Sequence, residues 1–209
     1  MRVAIPLYPG FTALDAVGPY TVLAFAPGVA VTFVAAEPGP VADDQDSLSI
    51  TATAAFDDLP DPDVVVVPGG PGTLPALNDR RLIDWITTAH RTTTWTTSVC
   101  SGAFLLAHAG ILAGLPATTH WGFHDGLAGF GAVPVAERVV TEGKVVTAAG
   151  VSAGLDMALT LLALMRDEDT ARAVQLAIEY DPAPPFTSGS AATATPELRE
   201  RAMGLIRVG

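Results

Sequence analysis

One short segment places the strongest limit on the fold of this chain. Asp63–Pro68 has the sequence DVVVVP and runs directly into the glycine-rich turn Gly69–Gly72 (GGPG). Four consecutive β-branched residues are typical of a strand buried on both faces, as in the middle of a parallel sheet. Parallel strands need long crossover connections, which are usually helices. The segment therefore predicts an α/β protein in which helices cover both faces of the sheet.

The rest of the chain alternates between strand-like and helix-like patterns. Further strands are predicted at Arg2–Tyr8, Val29–Ala36 and Thr92–Val99, and a hairpin at Arg138–Thr141 and Lys144–Ala148. Helices are predicted at Leu14–Phe25 (with a break near Gly18-Pro19), Asn78–His90, Gly102–Ala109, Ala153–Met165, about Asp167–Tyr180, and Pro196–Ile206. This order predicts a doubly wound, mostly parallel sheet with helices on both faces and a small β-hairpin.

The chain is expected to form a single domain over residues 1–209, a length that supports one large hydrophobic core. Residues 181–197 differ in composition from the rest, being rich in Pro, Ser, Thr and Ala. Such a segment is predicted to be extended or irregular. We expect it to pack on the domain or on a partner subunit, because it is too apolar for an inert coil.

Charge and composition exclude several classes of protein. The net charge of −11 argues against DNA or RNA as a partner, since these need a basic surface. No apolar run reaches the roughly 18 residues of a membrane helix, and the N-terminus lacks the pattern of a signal peptide. A single cysteine cannot form an internal disulfide, which favours the reducing cytoplasm.

That single cysteine, Cys100, follows a β-prone run and precedes helix-forming residues. Small neighbours, Ser101 and Gly102, permit the tight strand-to-helix turn on which many nucleophiles lie. The N-terminus of the following helix is expected to lower the pKa of the thiol from about 8.5. Because free cysteines are often buried and inert, a structural cysteine is the alternative.

Backbone N–H groups near this turn are candidates for an oxyanion hole. Gly70 lies in the turn that ends the preceding strand, and its N–H is expected to face the N–H of Ser101. An ordinary Gly/Pro turn explains the same residues. The turn is not a phosphate loop, since no Gly-Lys-Ser/Thr follows it.

Two further side chains are candidates for the site. Asp15 lies among apolar residues after the first strand, where it is either a helix cap or a buried carboxyl with a raised pKa. His120 follows the next helix and is the histidine best placed to approach Cys100; a structural histidine is equally compatible with its position. No Cys/His cluster has the spacing of metal ligands, so no metal is predicted.

These residues together resemble the DJ-1/PfpI superfamily over essentially the whole chain. The resemblance is carried by Asp15 with Gly18-Pro19, Val67–Gly70, Cys100–Ala103 and Thr118–Trp121. It is strongest to isocyanide (isonitrile) hydratases, which carry aspartate where DJ-1 and PfpI proteins carry glutamate, and which share the tail pattern at Val174–Phe186. One departure is Ser101, where those hydratases commonly have threonine.

The resemblance implies a flavodoxin-like fold and an activity. The expected reaction is hydration of R–N≡C to an N-substituted formamide, with Cys100 as nucleophile, Asp15 as proton donor and then base, and Ser101 holding the water or the carboxyl. Gly70 and His120 are expected at the substrate. The resemblance implies a neutral organic substrate and water, no cofactor, and a homodimer.

Two alternatives stay open at this point. A glyoxalase or deglycase of the same fold acts on α-oxoaldehydes, but such enzymes usually pair the cysteine with glutamate. A non-catalytic redox or ligand sensor is the other, since an exposed thiol of low pKa oxidises readily.

Overall fold

The computed structural model describes residues 1–206. The strands are β1 Arg2–Pro6, β2 Ala30–Ala35, β3 Gly39–Ala42, β4 Ser49–Ala52, β5 Ala54–Ala55, β6 Val64–Val67, β7 Trp95–Val99, β8 Pro116–Ala117, β9 Val133–Pro134, β10 Val139–Glu142 and β11 Val145–Ala148. The α-helices are α1 Ala13–Ala24, α2 Thr73–Ala76, α3 Arg80–Thr92, α4 Gly102–His108, α5 Ala153–Met165, α6 Glu168–Ala177 and α7 Pro196–Met203. Two 3-10 helices lie at Phe56–Asp58 and Trp121–Phe130.

Seven strands form the central sheet, in the order β10-β11-β7-β6-β1-β2-β5. Every neighbouring pair is parallel except β10 and β11 at one edge. Helices α1 and α5 contact each other, whereas α3 and α4 pack together with β6. This confirms the predicted fold class. All four valines of β6 are buried at the centre of the sheet, as their sequence predicted.

The predicted hairpin exists, but it is not a separate unit, because β11 pairs with β7 and extends the main sheet. A second hairpin, β3 with β4, was missed. Its strands have four residues each, and Pro40 weakens the strand signal of the first.

The break expected near Gly18-Pro19 is wrong, since α1 continues through Pro19. Proline removes one helical hydrogen bond, but the packing of α1 against α5 holds the helix together. A Cβ at Gly154 of α5 would lie 3.3 Å from the Pro19 ring, so the two helices meet closely at this point.

The turn after β6 and the turn after β7 touch each other, and glycines make this possible. A Cβ on Gly69 would lie 2.5 Å from the Ser101 nitrogen, and one on Gly102 would overlap the carbonyl oxygen of Val67. Because parallel β6 and β7 end at the same edge of the sheet, this contact fixes Cys100 beside the glycine turn.

The tail is irregular between α6 and α7, as predicted, and residues 181–190 are all exposed. The last predicted helix begins at Pro196 as expected and ends at Met203. Among residues 1–206 no helix is long and apolar enough to cross a membrane.

The contact between the two turns predicts a stability difference. Gly102→Ala should lower the free energy of unfolding by about 1–3 kcal/mol, because the new methyl group overlaps the β6 backbone. Gly129→Ala is the matched control, since nothing lies within 4 Å of a Cβ there. Urea unfolding of the two variants and the wild type measures the effect, and equal stabilities of the two variants would contradict it.

Candidate active site

Cys100 lies on a strained turn between β7 and α4. Its φ angle is +56°, a left-handed conformation that non-glycine residues rarely adopt. The Cys100 N–H donates to the carbonyls of Ala148 (3.1 Å) and Ala149 (3.0 Å), and its own carbonyl accepts from Thr119 Oγ1 (2.7 Å). Three hydrogen bonds therefore hold the tight strand-to-helix turn that the sequence predicted.

The thiol of Cys100 is almost fully enclosed, with the residue 6% exposed. Burial raises the pKa of the thiol, and the nearby charge of Asp15 raises it further, while hydrogen bonds from the backbone of Ser101 and Val151 and from the Ser101 side chain lower it. The expected lowering of the pKa is thus wrong for the free protein. Loss of water outweighs the effect of a helix only seven residues long.

Asp15, in the first turn of α1, is wholly buried. Its Oδ2 accepts a hydrogen bond from the Gly69 N–H (3.0 Å), and its Oδ1 has no hydrogen-bond partner among the described residues. The N-cap of α1 is Thr12, so Asp15 is not a helix cap.

The carboxyl group of Asp15 is electrostatically coupled to the thiol of Cys100. Burial raises the pKa of Asp15 to about 7, and hydrogen bonds to Gly69 and the Cys100 thiol offset part of that rise. At neutral pH the thiol of Cys100 thus faces the carboxyl group of Asp15, whose pKa is close to the pH. Because burial leaves the pKa of the thiol far above that of the carboxyl group, the single negative charge of the pair lies on Asp15, which is the group placed to take the proton when Cys100 reacts.

Ser101 and Gly70 contact each other at the wall of a cavity. The Gly70 N–H donates to Ser101 Oγ (2.9 Å), and the hydroxyl lies 3.2 Å from the Gly70 carbonyl oxygen. Ser101 is the N-cap of α4 but makes no side-chain cap bond there. Both residues line the cavity above Cys100. Their roles as substrate or oxyanion ligands remain predictions.

Two polar residues beside this pair were not predicted from the sequence. Thr73 Oγ1 lies 2.9 Å from Ser101 Oγ, and Tyr8 Oη lies 3.0 Å from Thr73 Oγ1. Neither belongs to a motif with a recognisable spacing. The only signals in the sequence were that Tyr8 ends a predicted strand and that Thr73 directly follows the glycine-rich turn.

His120 lines the same cavity as Cys100. Its Nδ1 accepts from the Gly122 N–H (3.2 Å), which leaves the proton of the neutral ring on Nε2. Burial lowers the pKa of His120, so the ring is uncharged at neutral pH.

The cavity has a volume of about 210 Å³. Its wall is mainly apolar, and besides the polar groups already described it contains the side chains of Asp44 and Gln45. The apolar members are Pro71, Leu74, Phe104, Phe123, Val151, Leu205 and Ile206. The last two come from the residues after α7, which the sequence analysis did not connect with the site. No group of three or more His, Cys, Asp or Glu residues among residues 1–206 is arranged to hold a metal ion.

Comparison with known proteins gives consistent results. A family model described as the DJ-1/PfpI family matches residues 1–164. The chain is 43% identical over 206 residues to an isonitrile hydratase of Pseudomonas putida, covering 97% of this chain and 90% of that protein. A transcriptional regulator of the helix-turn-helix type from Mycobacterium tuberculosis is 43% identical over only 54 residues, or 26% of this chain and 21% of the regulator.

Solved structures show the same relationship. A ThiJ/PfpI family protein from Pseudomonas syringae superposes with a TM-score of 0.93 at 41% identity, covering 98% of this chain and 85% of the other. DJ-1beta from Drosophila melanogaster superposes with a TM-score of 0.77 at 20% identity, covering 85% of this chain and 97% of the other, and shares the fold.

The raised pKa of Asp15 predicts a pH-dependent stability. In the unfolded chain the pKa of aspartate is about 3.9, and in the folded protein it is about 7. Between these values the folded protein binds more protons, so the contribution of Asp15 to the free energy of unfolding falls as the pH rises from 4 to 7. Asp15→Asn removes this titration. Its stability relative to wild type should rise over that window, by roughly 4 kcal/mol at most, and level off above it.

Urea unfolding at several pH values measures this difference. Asp84→Asn, which changes an exposed carboxyl on α3, is the control and should show no such trend. A constant difference between Asp15→Asn and wild type from pH 4 to 8 would contradict the prediction.

Proposed function

This chain belongs to the DJ-1/PfpI family, and on that premise we propose that it is an isonitrile hydratase, a hydro-lyase that converts an isonitrile and water into an N-substituted formamide. The observation that carries the proposal is the buried pair of Asp15 and Cys100, of which Cys100 lies at the wall of an apolar cavity. The full-length similarity to a protein of that name gives the pair its reaction.

The first step joins sulfur to the terminal carbon of R–N≡C. The Asp15 carboxylate takes the thiol proton as Cys100 attacks, and then gives this proton to the same carbon. One C–S and one C–H bond form, the C≡N bond becomes C=N, and the product is the thioimidate R–N=CH–S–Cys100. A carboxyl with a pKa of about 7 suits both halves of this transfer.

The second step hydrolyses the thioimidate. The Asp15 carboxylate takes a proton from water, the oxygen adds to the thioimidate carbon, and the nitrogen receives the proton. The adduct then collapses: the C–S bond breaks, the hydroxyl proton returns to sulfur through Asp15, and R–NH–CHO leaves. Each proton taken from water ends on nitrogen or sulfur, so Asp15 begins the next cycle unchanged.

The cavity favours a neutral, apolar R group. Its wall carries Phe104, Phe123 and Leu74, which suit an aromatic or alicyclic ring. Asp44 and the net charge of −11 disfavour an anionic substrate. We assign Gly70 and Ser101 to orienting the intermediate, and His120 to contact with the substrate through its Nε2–H.

Neither alternative function gains support from the site. A glyoxalase or deglycase of this fold usually has glutamate at position 15, which is aspartate in this chain. A redox sensor needs an exposed thiolate, whereas Cys100 is enclosed and burial raises the pKa of its thiol.

The activity is tested with an aryl isonitrile and detection of the formamide by chromatography. Wild type should turn over, and Cys100→Ala and Asp15→Asn should each lose at least about a hundredfold in kcat, because each lacks one end of the proton transfer. Asp84→Asn is the control and should keep full activity. A folded wild type without turnover would overturn the proposal, and full activity of Asp15→Asn would remove Asp15 from the mechanism.

We further infer a homodimer in the cytoplasm. The single cysteine supports a reducing compartment. An apolar and exposed tail supports association between subunits, since Phe186 is 76% exposed within a segment that makes few contacts of its own. In this proposal the segment 181–197 packs on the partner subunit.

Two truncations test the role of the tail. A chain ending at Tyr180 should sediment as a monomer, because it lacks the whole segment. A chain ending at Thr195 lacks α7 but keeps most of the segment, and it should sediment as a dimer. The same oligomeric state for the two truncated chains would contradict the assignment of the dimer contact to residues 181–195.

A further inference from the structure

Three buried hydroxyl groups form a continuous chain that ends beside Cys100. Tyr8 Oη donates to the Pro68 carbonyl (2.7 Å) and lies 3.0 Å from Thr73 Oγ1. Thr73 Oγ1 lies 2.9 Å from Ser101 Oγ, which accepts from the Gly70 N–H. Tyr8, Thr73 and Ser101 are 3%, 1% and 7% exposed, so water does not compete for these hydrogen bonds.

The protons of this chain can be assigned by counting donors. A carbonyl oxygen only accepts, so the single proton of Tyr8 points at Pro68. Burial raises the pKa of the Tyr8 phenol, which keeps that proton in place. Thr73 then has two acceptors for its proton, Tyr8 Oη and Ser101 Oγ.

The hydroxyl proton of Ser101 also has more than one possible acceptor. Its proton can point at Thr73 Oγ1 or at the Gly70 carbonyl oxygen 3.2 Å away, or it can turn toward the side chain of the preceding residue, Cys100, which lines the same cavity. A hydrogen bond from the Ser101 side chain lowers the pKa of the Cys100 thiol. The Ser101 hydroxyl has one proton and can donate to only one of these acceptors at a time.

We propose that Tyr8 and Thr73 are positioning residues that set how readily Cys100 gives up its proton, acting through the hydroxyl of Ser101. Beside a neutral thiol, the hydroxyl protons run from Ser101 to Thr73 to Tyr8 to the Pro68 carbonyl. Beside a thiolate, two hydroxyls rotate: Ser101 donates to sulfur, and Thr73 donates to Ser101. No proton leaves the chain and no covalent bond changes. The enclosed sulfur thus gains a hydrogen-bond donor only when it becomes charged.

Other groups face the thiol from other elements. Asp15 approaches from α1, His120 from the loop before the second 3-10 helix, and Asp44 acts on Asp15 from the loop between β3 and β4. Within residues 1–206 none of the three carboxyl or imidazole groups is hydrogen-bonded to the chain of hydroxyls. Its effect can therefore be separated from theirs by substitution.

The two ends of the chain have opposite effects. Tyr8→Phe removes one of the two acceptors of the Thr73 proton, so Thr73 donates to Ser101 permanently and the arrangement that stabilises the thiolate is favoured. Thr73→Val removes the donor to Ser101 but leaves the Gly70 carbonyl oxygen as an acceptor for the Ser101 proton beside a neutral thiol, so the arrangement that stabilises the thiolate is weakened. Both substitutions preserve the shape of the side chain almost completely. A change in access to the thiol would therefore not raise its reactivity in one variant and lower it in the other.

The rate of alkylation of Cys100 by iodoacetamide between pH 6 and 10 tests the proposal. The chain has one cysteine, so every modified molecule reports this thiol. Below its pKa the rate follows the fraction of thiolate. At a given pH we expect Tyr8→Phe to react about three- to tenfold faster than wild type, and Thr73→Val slower by a similar factor. Thr73→Ser keeps the hydroxyl and should restore the wild-type rate.

Two controls remove hydroxyls of the same type away from the chain. Thr97→Val removes a buried hydroxyl that donates to the Val65 carbonyl, and Tyr20→Phe removes a phenol at the surface. Both should react at the wild-type rate. Unchanged rates for Tyr8→Phe and Thr73→Val, or shifts of the same sign, would overturn the inference.

This inference depends on the proposed role of Cys100 as the reacting group, but its test uses no isonitrile. A protein that shows the expected alkylation pattern and no turnover would overturn the proposed function alone. If the protein hydrates isonitriles but neither Tyr8→Phe nor Thr73→Val changes the rate of alkylation, only the inference about the hydroxyl chain is overturned.

Discussion

The parallel pairing of β6 with β7 fixes the position of every group in the site. Because both strands end at the same edge of the sheet, the glycine turn after one meets the cysteine turn after the other. The Gly69 N–H then reaches Asp15 from α1, and the Gly70 N–H reaches Ser101. Groups from three separate stretches of sequence thus meet within one hydrogen-bonded cluster, which is held by the ends of the strands and the helices that follow them.

Burial gives this cluster its chemical character. Enclosure raises the pKa of both Asp15 and Cys100, so neither group is easily ionised alone. One negative charge shared between them is the arrangement that a dry site tolerates best. In the proposed mechanism, reactivity comes from proton transfer within the pair as the substrate approaches, and not from a thiolate present in advance. An uncharged substrate suits such a site, since it adds no further charge to be desolvated.

The sequence was enough to predict the fold, the elbow and the residues at its centre. The four valines of β6, the residues around Cys100 and the acid at position 15 each have a local pattern with a physical meaning. The shift in the pKa of Cys100 was predicted with the wrong sign, because the sequence reveals the helix that follows but not the depth of burial. Tyr8 and Thr73 were missed because their roles exist only through contacts between distant turns. Leu205 and Ile206 were missed because a chain end carries no pattern that ties it to a cavity.

The left-handed backbone of Cys100 has a consequence for the evolution of such a protein. A non-glycine residue in this conformation costs about 1 kcal/mol or more, and glycine would relieve it. Selection for stability alone would therefore drift toward glycine at this position, as it would toward an apolar residue at Asp15. In the proposed mechanism, Cys100 and Asp15 are the residues at which this fold gives up stability for reactivity. A search for stabilising substitutions in this chain should leave these two positions untouched.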